Sequence, residues 1–169
     1  MNCHTALLSI NMLADFHIHL ATLADATQIA EMSKANIEFG LPWGWTPSRV
    51  ARAIIDPETN VAVIRERNIL AAFGIMKYED EVADLHLLAV HPSRRGLGLG
   101  GGLLAWLEQV ASTAGIVRVR LEARTDNTIG RAFYRSHGYR EIAQVLGMYQ
   151  GTVDGVRLEK RLYHYQTLE

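Results

Sequence analysis

Arg94-Arg95-Gly96-Leu97-Gly98-Leu99-Gly100-Gly101-Gly102 lies between two apolar runs, Leu85 to Val90 and Leu103 to Val110, and five of its nine residues are glycine. A strand entering such a turn and a helix leaving it aim several unpaired backbone N–H groups at one point. The positive end of the helix dipole points there too, so a phosphate is held. Each bond to a charged oxygen contributes roughly 1.5–3 kcal/mol, so three or four hold a diphosphate without a lysine. Side chains would obstruct that approach, which is the physical reason for glycine.

The rest of the chain supplies the strand and helix that this turn requires. Phe16 to Leu20 alternates as a strand, and Asp25 to Phe39 carries Ile29, Met32 and Phe39 at helical spacing. Gly40-Leu41-Pro42-Trp43-Gly44-Trp45-Thr46-Pro47 breaks that helix, with Thr46 and Pro47 as N-cap and first residue of a second helix through Ile55. Val61 to Ile64, Ile69 to Met76 and Val82 to Val90 read as strands joined by short polar gaps, an antiparallel meander. A helix from Gly98 to Ala114 closes at Gly115; Val117 to Ala123 alternates as a strand; a helix from Asn127 to His137 ends at Gly138. Tyr139 to Met148 and Val156 to Leu162 are the last strands. The order mixes hairpins with crossover helices, so the fold class is α/β (α+β) around a mixed sheet. The 169 residues are read as one domain.

Charge narrows the partners. Seventeen Lys and Arg against eighteen Asp and Glu give a net −1, which offers no field for nucleic acid or an anionic membrane. No run of eighteen apolar residues occurs, and Met1 to Leu20 has no basic n-region. The single cysteine, Cys3, has no internal disulfide partner, which fits a reducing compartment, and the cytoplasm is the expected location. His17 and His19 share one strand face, but no further cluster completes a metal site, so no metal is expected.

Gly96 to Gly101 also satisfies G-x-G-x-x-G, with Glu122 downstream where a dinucleotide fold keeps its ribose acid. That reading loses on topology, because a meander precedes the turn and too few residues follow Glu122 to complete a doubly wound sheet. No Gly-Lys-Ser or Gly-Lys-Thr supports a P-loop. Read instead as Arg95-x-x-Gly98-x-Gly100, after Leu88-Ala89-Val90-His91-Pro92, the turn resembles the acyl-CoA signature of the GNAT superfamily of N-acetyltransferases. Leu121-Glu122-Ala123-Arg124-x-x-Asn127, then Ala132-Phe133-Tyr134 to Gly138-Tyr139, resembles the family's second block. That block is most familiar in enzymes that acetylate the N-terminal alanine of a ribosomal protein. Phe133 and Tyr139 replace the usual leucine and phenylalanine.

The resemblance implies a mixed sheet of about seven strands with about four helices, whose central strands splay apart, and acetyl-CoA as acetyl donor. Leu88, Ala89 and Val90 would offer backbone to the pantetheine arm. Arg95, Gly96, Leu97, Gly98, Leu99, Gly100 and Gly101 would take the diphosphate, and Asn127 and Tyr134 would also touch the coenzyme. Dimerisation is common in the superfamily, so a homodimer stays open.

Acetyl transfer to an amine requires a neutral nitrogen, and alkyl ammonium groups titrate near 10, so some group must take a proton. Glu122, twelve positions before Tyr134 as in the ribosomal-alanine type that it resembles, is by that resemblance the expected base, against a plain solvated face shared with Arg118 and Arg120; His86 on the preceding strand is the alternative. The resemblance implies Tyr134 as the acid for the departing thiolate, against simple core filling. Trp43 and Trp45, in the loop between the first two helices, and Tyr149 are read as acceptor walls, although both tryptophans could equally anchor the loop. The acceptor is a small-molecule amine or a protein N-terminus. A CoA-binding module without catalysis is the competing class.

Overall fold

The computed structural model describes residues 16–163. Along the chain come β1 (Ile18–Leu20), a 3-10 turn (Leu23–Asp25), α1 (Ala26–Asn36), α2 (Pro47–Ile55), β2 (Thr59–Glu66), β3 (Ile69–Glu79) and β4 (Val82–Val90). A second 3-10 turn (Pro92–Arg94), α3 (Leu99–Thr113), β5 (Arg118–Arg124), α4 (Thr128–Ser136), β6 (Arg140–Tyr149) and β7 (Val153–Arg161) follow. The strands form a seven-stranded sheet in the order β1-β2-β3-β4-β5-β7-β6. It is mostly antiparallel, with β4 and β5 parallel. Cys3 lies outside the described residues.

Backbone contacts divide the chain into two compact units. One takes in the described residues up to Ile75 and Leu87–Leu107; the other takes in Met76–His86 and the described residues from Glu108.

In the first unit the core gathers Ile29 and Ala30 of α1, Val50 of α2, Val61 and Val63 of β2, Phe73 and Ile75 of β3, and Leu87 and Ala89 of β4. Each large member contributes about 1.5–3 kcal/mol by leaving water. Helix α2 begins as its sequence dictates, with Thr46 Oγ1 accepting from the Arg49 N–H at 3.3 Å and Pro47 in the first turn. Helix α1 is shorter than the apolar spacing suggests. Ile37 and Glu38 N–H both bond the Ser33 carbonyl at 2.9 Å, which ends the helix, and Phe39 is left 58% exposed rather than on the buried stripe. Asp25, expected inside that helix, instead ends the 3-10 turn and is ion-paired with Arg65.

In the second unit β5 carries the clean alternation expected of it, with Val119, Leu121 and Ala123 buried and Arg118, Arg120 and Glu122 outward. It pairs with β7 along its whole length, from Arg118↔Arg161 to Arg124↔Gly155. Pairing with β4 covers only Val82–Leu85 against Arg118–Leu121. From Glu122 onward the pairing of β5 is with β7.

Helices α3 and α4 stop on the same device. After α3, Ile116 N–H bonds the Ala111 carbonyl and Gly115 N–H bonds Ser112, both at 3.0 Å, with Gly115 at φ 88°. After α4, Tyr139 N–H bonds Tyr134 and Gly138 N–H bonds Arg135, both at 3.1 Å, with Gly138 at φ 90°. A left-handed residue is needed at that point, and glycine adopts it without a Cβ clash.

Candidate functional site

The glycine turn in the first unit has the geometry of an anion cradle. Gly96 and Gly98 hold φ of 76° and 79°, a region closed to most side chains. Gly102 N–H is the first to bond back into α3, onto the Gly98 carbonyl at 3.0 Å. The amides of residues 98–101 thus lie in the opening turn, where a helix has no internal partner for them. No Cβ stands on Gly98, Gly100 or Gly101 to block them. Leu97 is half-buried and Leu99 is fully buried, anchoring the turn from below.

Arg95 holds this turn in a way its spacing did not announce. Its Nε donates to the Val90 carbonyl at 3.3 Å and its Nη2 to Asn36 Oδ1 at 3.2 Å, linking the end of β4 to the end of α1. A coenzyme arm pairing with the Val90 carbonyl would compete with that guanidinium. Along β4 Ala89 is buried, whereas Leu88 and Val90 lie half-buried on the opposite face.

The loop between α1 and α2 is built around Glu38. Its Oε1 accepts from the N–H groups of Gly44 and Trp45 at 2.7 and 3.0 Å, and its Oε2 accepts from the buried Ser33 hydroxyl at 2.9 Å. Of the two readings open for Trp43 and Trp45, the packing is that of loop anchors: both are half-buried and pack on the core of the first unit. Lys34 Nζ stands 4.7 Å from the Trp43 ring and Arg49 Cζ 4.1 Å from the Trp45 ring, both cation–π contacts. The Trp43 indole N–H is buried without a hydrogen-bond partner.

The second unit brings Glu122, Tyr134 and Tyr149 together. Burial pushes the Tyr134 phenol well above its ordinary value, with the neighbouring Tyr149 adding to it. Burial likewise pushes Tyr149 up to about 12; the charge of Glu122 adds to this and Arg124 opposes it. Both phenols therefore keep their protons at neutral pH. The Tyr134 ring meets Phe133 edge-on at 5.2 Å and Tyr139 at 5.7 Å. Tyr139 is fixed in turn: its hydroxyl donates to Glu108 Oε1 at 2.9 Å, and Lys160 Nζ donates to Glu108 Oε2 at 2.6 Å.

Glu122 is half-exposed and ion-paired, Arg157 Nε donating to its Oε1 at 3.0 Å. Sequence reasoning missed Arg157. Alternation on β7 marks it as outward, but only the strand register puts it opposite Glu122. Glu38 and its clamp were missed as well. His86, the alternative base, is exposed, because Leu85 and Leu87 take the inward positions of β4. Asn127 caps α4, its Oδ1 accepting from Gly130 N–H at 2.9 Å. His17 and His19 are exposed, and among the described residues no three His, Cys, Asp or Glu side chains gather as metal ligands. No helix among them is long and apolar enough to cross a membrane.

Comparison with known proteins bears on this geometry. The acetyltransferase (GNAT) family model matches residues 28–139. The N-alpha-acetyltransferase RimI of Mycobacterium tuberculosis is 32% identical over 128 residues, covering 72% of this chain and 76% of that protein. The mycothiol acetyltransferase of Clavibacter sepedonicus is 34% identical over 95 residues, 56% of this chain; the match spans 31% of that relative's length. Among solved structures, the ribosomal-protein-S18-alanine N-acetyltransferase of Escherichia coli superposes with a TM-score of 0.77 at 22% identity. It covers 91% of this chain and 99% of its own, a likeness of fold.

Proposed function

The chain belongs to the GNAT acetyltransferase family, and we propose that it moves an acetyl group from acetyl-CoA to a primary amine by direct attack, without a covalent enzyme intermediate. The observation that carries this reading is the opening of α3. Two left-handed glycines and a first helical turn whose amides point outward fit a diphosphate without a cationic side chain. GNAT acetyltransferases use acetyl-CoA, whose diphosphate these amides would hold, with the backbone of Leu88 to Val90 contributing to the same ligand.

In this reading the amine nitrogen attacks the thioester carbon. A C–N bond forms, the C–S bond breaks, the nitrogen loses a proton and the sulfur leaves as thiolate. Glu122 takes the proton, supported by its half-exposed place on β5 just past the end of the β4 pairing. Tyr134 answers the thiolate. A free phenol titrates near 10 and a thiol near 8.5, so complete transfer is uphill by about 2 kcal/mol, and burial widens that gap. Tyr134 therefore acts by donating a hydrogen bond to the sulfur as charge develops. Trp43, Trp45 and Tyr149 serve the acceptor side in the same reading, the tryptophans as walls held by the Glu38 clamp.

The test is release of free CoA thiol from acetyl-CoA across a panel of amines, alongside calorimetric binding of acetyl-CoA. Glu122→Gln should lower kcat by about 10²-fold, the lower part of the range for a general base, and flatten the acidic limb of the pH profile. Acetyl-CoA binding with no thiol release from any amine would leave a binding module; tight NADH binding with indifference to CoA would end the reading.

A further inference from the structure

On the outward face of the second unit, the antiparallel register sets Glu122 across from Arg157, Arg120 from Glu159 and Arg118 from Arg161. The guanidinia along β5 are answered by acids: Arg118 by Glu159 at 3.8 Å and Arg120 by Asp84 at 3.2 Å. Glu122 and Arg157 are left to each other. Arg157 is bound through Nε alone, at 3.0 Å, and its side chain is 53% exposed. Its two terminal nitrogens have no hydrogen-bond partner among the described residues. A guanidinium held by Nε presents those terminal N–H groups as a planar fork, the shape that takes a carboxylate with two parallel bonds.

That arrangement constrains what can approach Glu122. Arg118, Arg120, Arg157 and Arg161 outnumber Asp84, Glu122 and Glu159 on this face, so a polycationic acceptor meets net repulsion. An ammonium reaching Glu122 also comes within range of the Arg157 charge. An acceptor that carries its own carboxylate beside the amine removes the conflict: its nitrogen takes Glu122 while its carboxylate takes the open fork. We propose that Arg157 is the acceptor-specificity residue and that the acceptor is an amine bearing a nearby carboxylate. This deepens the acetyltransferase reading and rests on it. The carboxylate could belong to a free amino acid or to an acidic residue beside a polypeptide N-terminus.

Matched acceptors separate these cases: free amino acids against their amides, and N-terminal peptides with Asp at the second position against the same peptides with Asn. Thiol release from acetyl-CoA should show kcat/KM at least tenfold higher for the carboxylate member of the productive pair, and which pair shows it identifies the source. Arg157→Ala should bring that ratio near one, the carboxylate acceptor losing the most through a raised KM. Arg157→Lys, a point charge without the fork, should restore part of it. Because the side chain is exposed, thermal melts of both variants should match the native protein. Equal rates for acid and amide, or an Arg157→Ala variant that keeps the preference, would overturn the inference while the acetyltransferase reading stands. Absence of thiol release with every amine tried would remove both together.

Discussion

Replacing Tyr134 with phenylalanine isolates one hydroxyl. The ring contacts with Phe133 at 5.2 Å and Tyr139 at 5.7 Å are made by the aromatic ring, which phenylalanine retains. The fold should therefore keep its stability to within about 0.5 kcal/mol, as a substitution that leaves packing intact does. The chemical step loses a hydrogen bond to a sulfur that is neutral in the thioester and anionic on departure, so the loss falls on the transition state. A hydrogen bond to a charged group is worth about 1.5–3 kcal/mol, which converts to a fall in kcat of about 10- to 150-fold. Single-turnover mixing of enzyme, acetyl-CoA and a productive amine, followed by thiol detection, reads that step directly. Calorimetry should show acetyl-CoA affinity within about twofold of native, since the interaction belongs to the leaving group. A Tyr134→Phe enzyme whose chemical step runs within twofold of native would refute the role. So would an equal loss of coenzyme affinity, which would make Tyr134 a binding residue only.

Two further outcomes test the cradle and the phenol cluster. Gly98→Ala places a Cβ on a residue at φ 79°, a conformation that costs an L-residue about 1–2 kcal/mol. The melting temperature should fall by a few degrees and acetyl-CoA affinity by at least tenfold, and an unchanged Kd would show that these amides do not hold the coenzyme. Tyr149 titrates in the fold at about 12 against about 10 in the unfolded chain. Its folded value is the higher, so its contribution is complete below pH 10 and disappears as pH rises from 10 toward 12. Thermal melts across that window should fall more steeply for the native protein than for Tyr149→Phe, and parallel curves would contradict the assignment.

Much of this architecture is written in local sequence. Thr46-Pro47 and Asn127 mark helix starts, Gly115 and Gly138 mark stops, and the alternation of Arg118 to Ala123 marks a half-buried strand, because each signal depends only on neighbours along the chain. The acid and base candidates were legible through family resemblance, which the same short blocks carry. Arg157 was not, because its meaning comes from a cross-strand register that no run of residues encodes. The premature end of α1, and the choice between the two readings of Trp43 and Trp45, were hidden for a related reason. Both depend on Glu38 turning back to collect amides from Gly44 and Trp45, a closure that helical periodicity through Ile37 and Phe39 does not reveal.

The three bonds of Glu38 bear on how acceptor preference can change. One carboxylate fixes both ends of the segment from Ser33 to Trp45, so the stretch between those anchorages behaves as an exchangeable insert. Residues 39–42 can be rewritten, or the segment's tip enlarged, while Trp43 and Trp45 stay packed on the core beneath. On the proposed reading of this loop as the acceptor side, selection for a new amine could then proceed one surface substitution at a time, while the glycine turn downstream stays untouched.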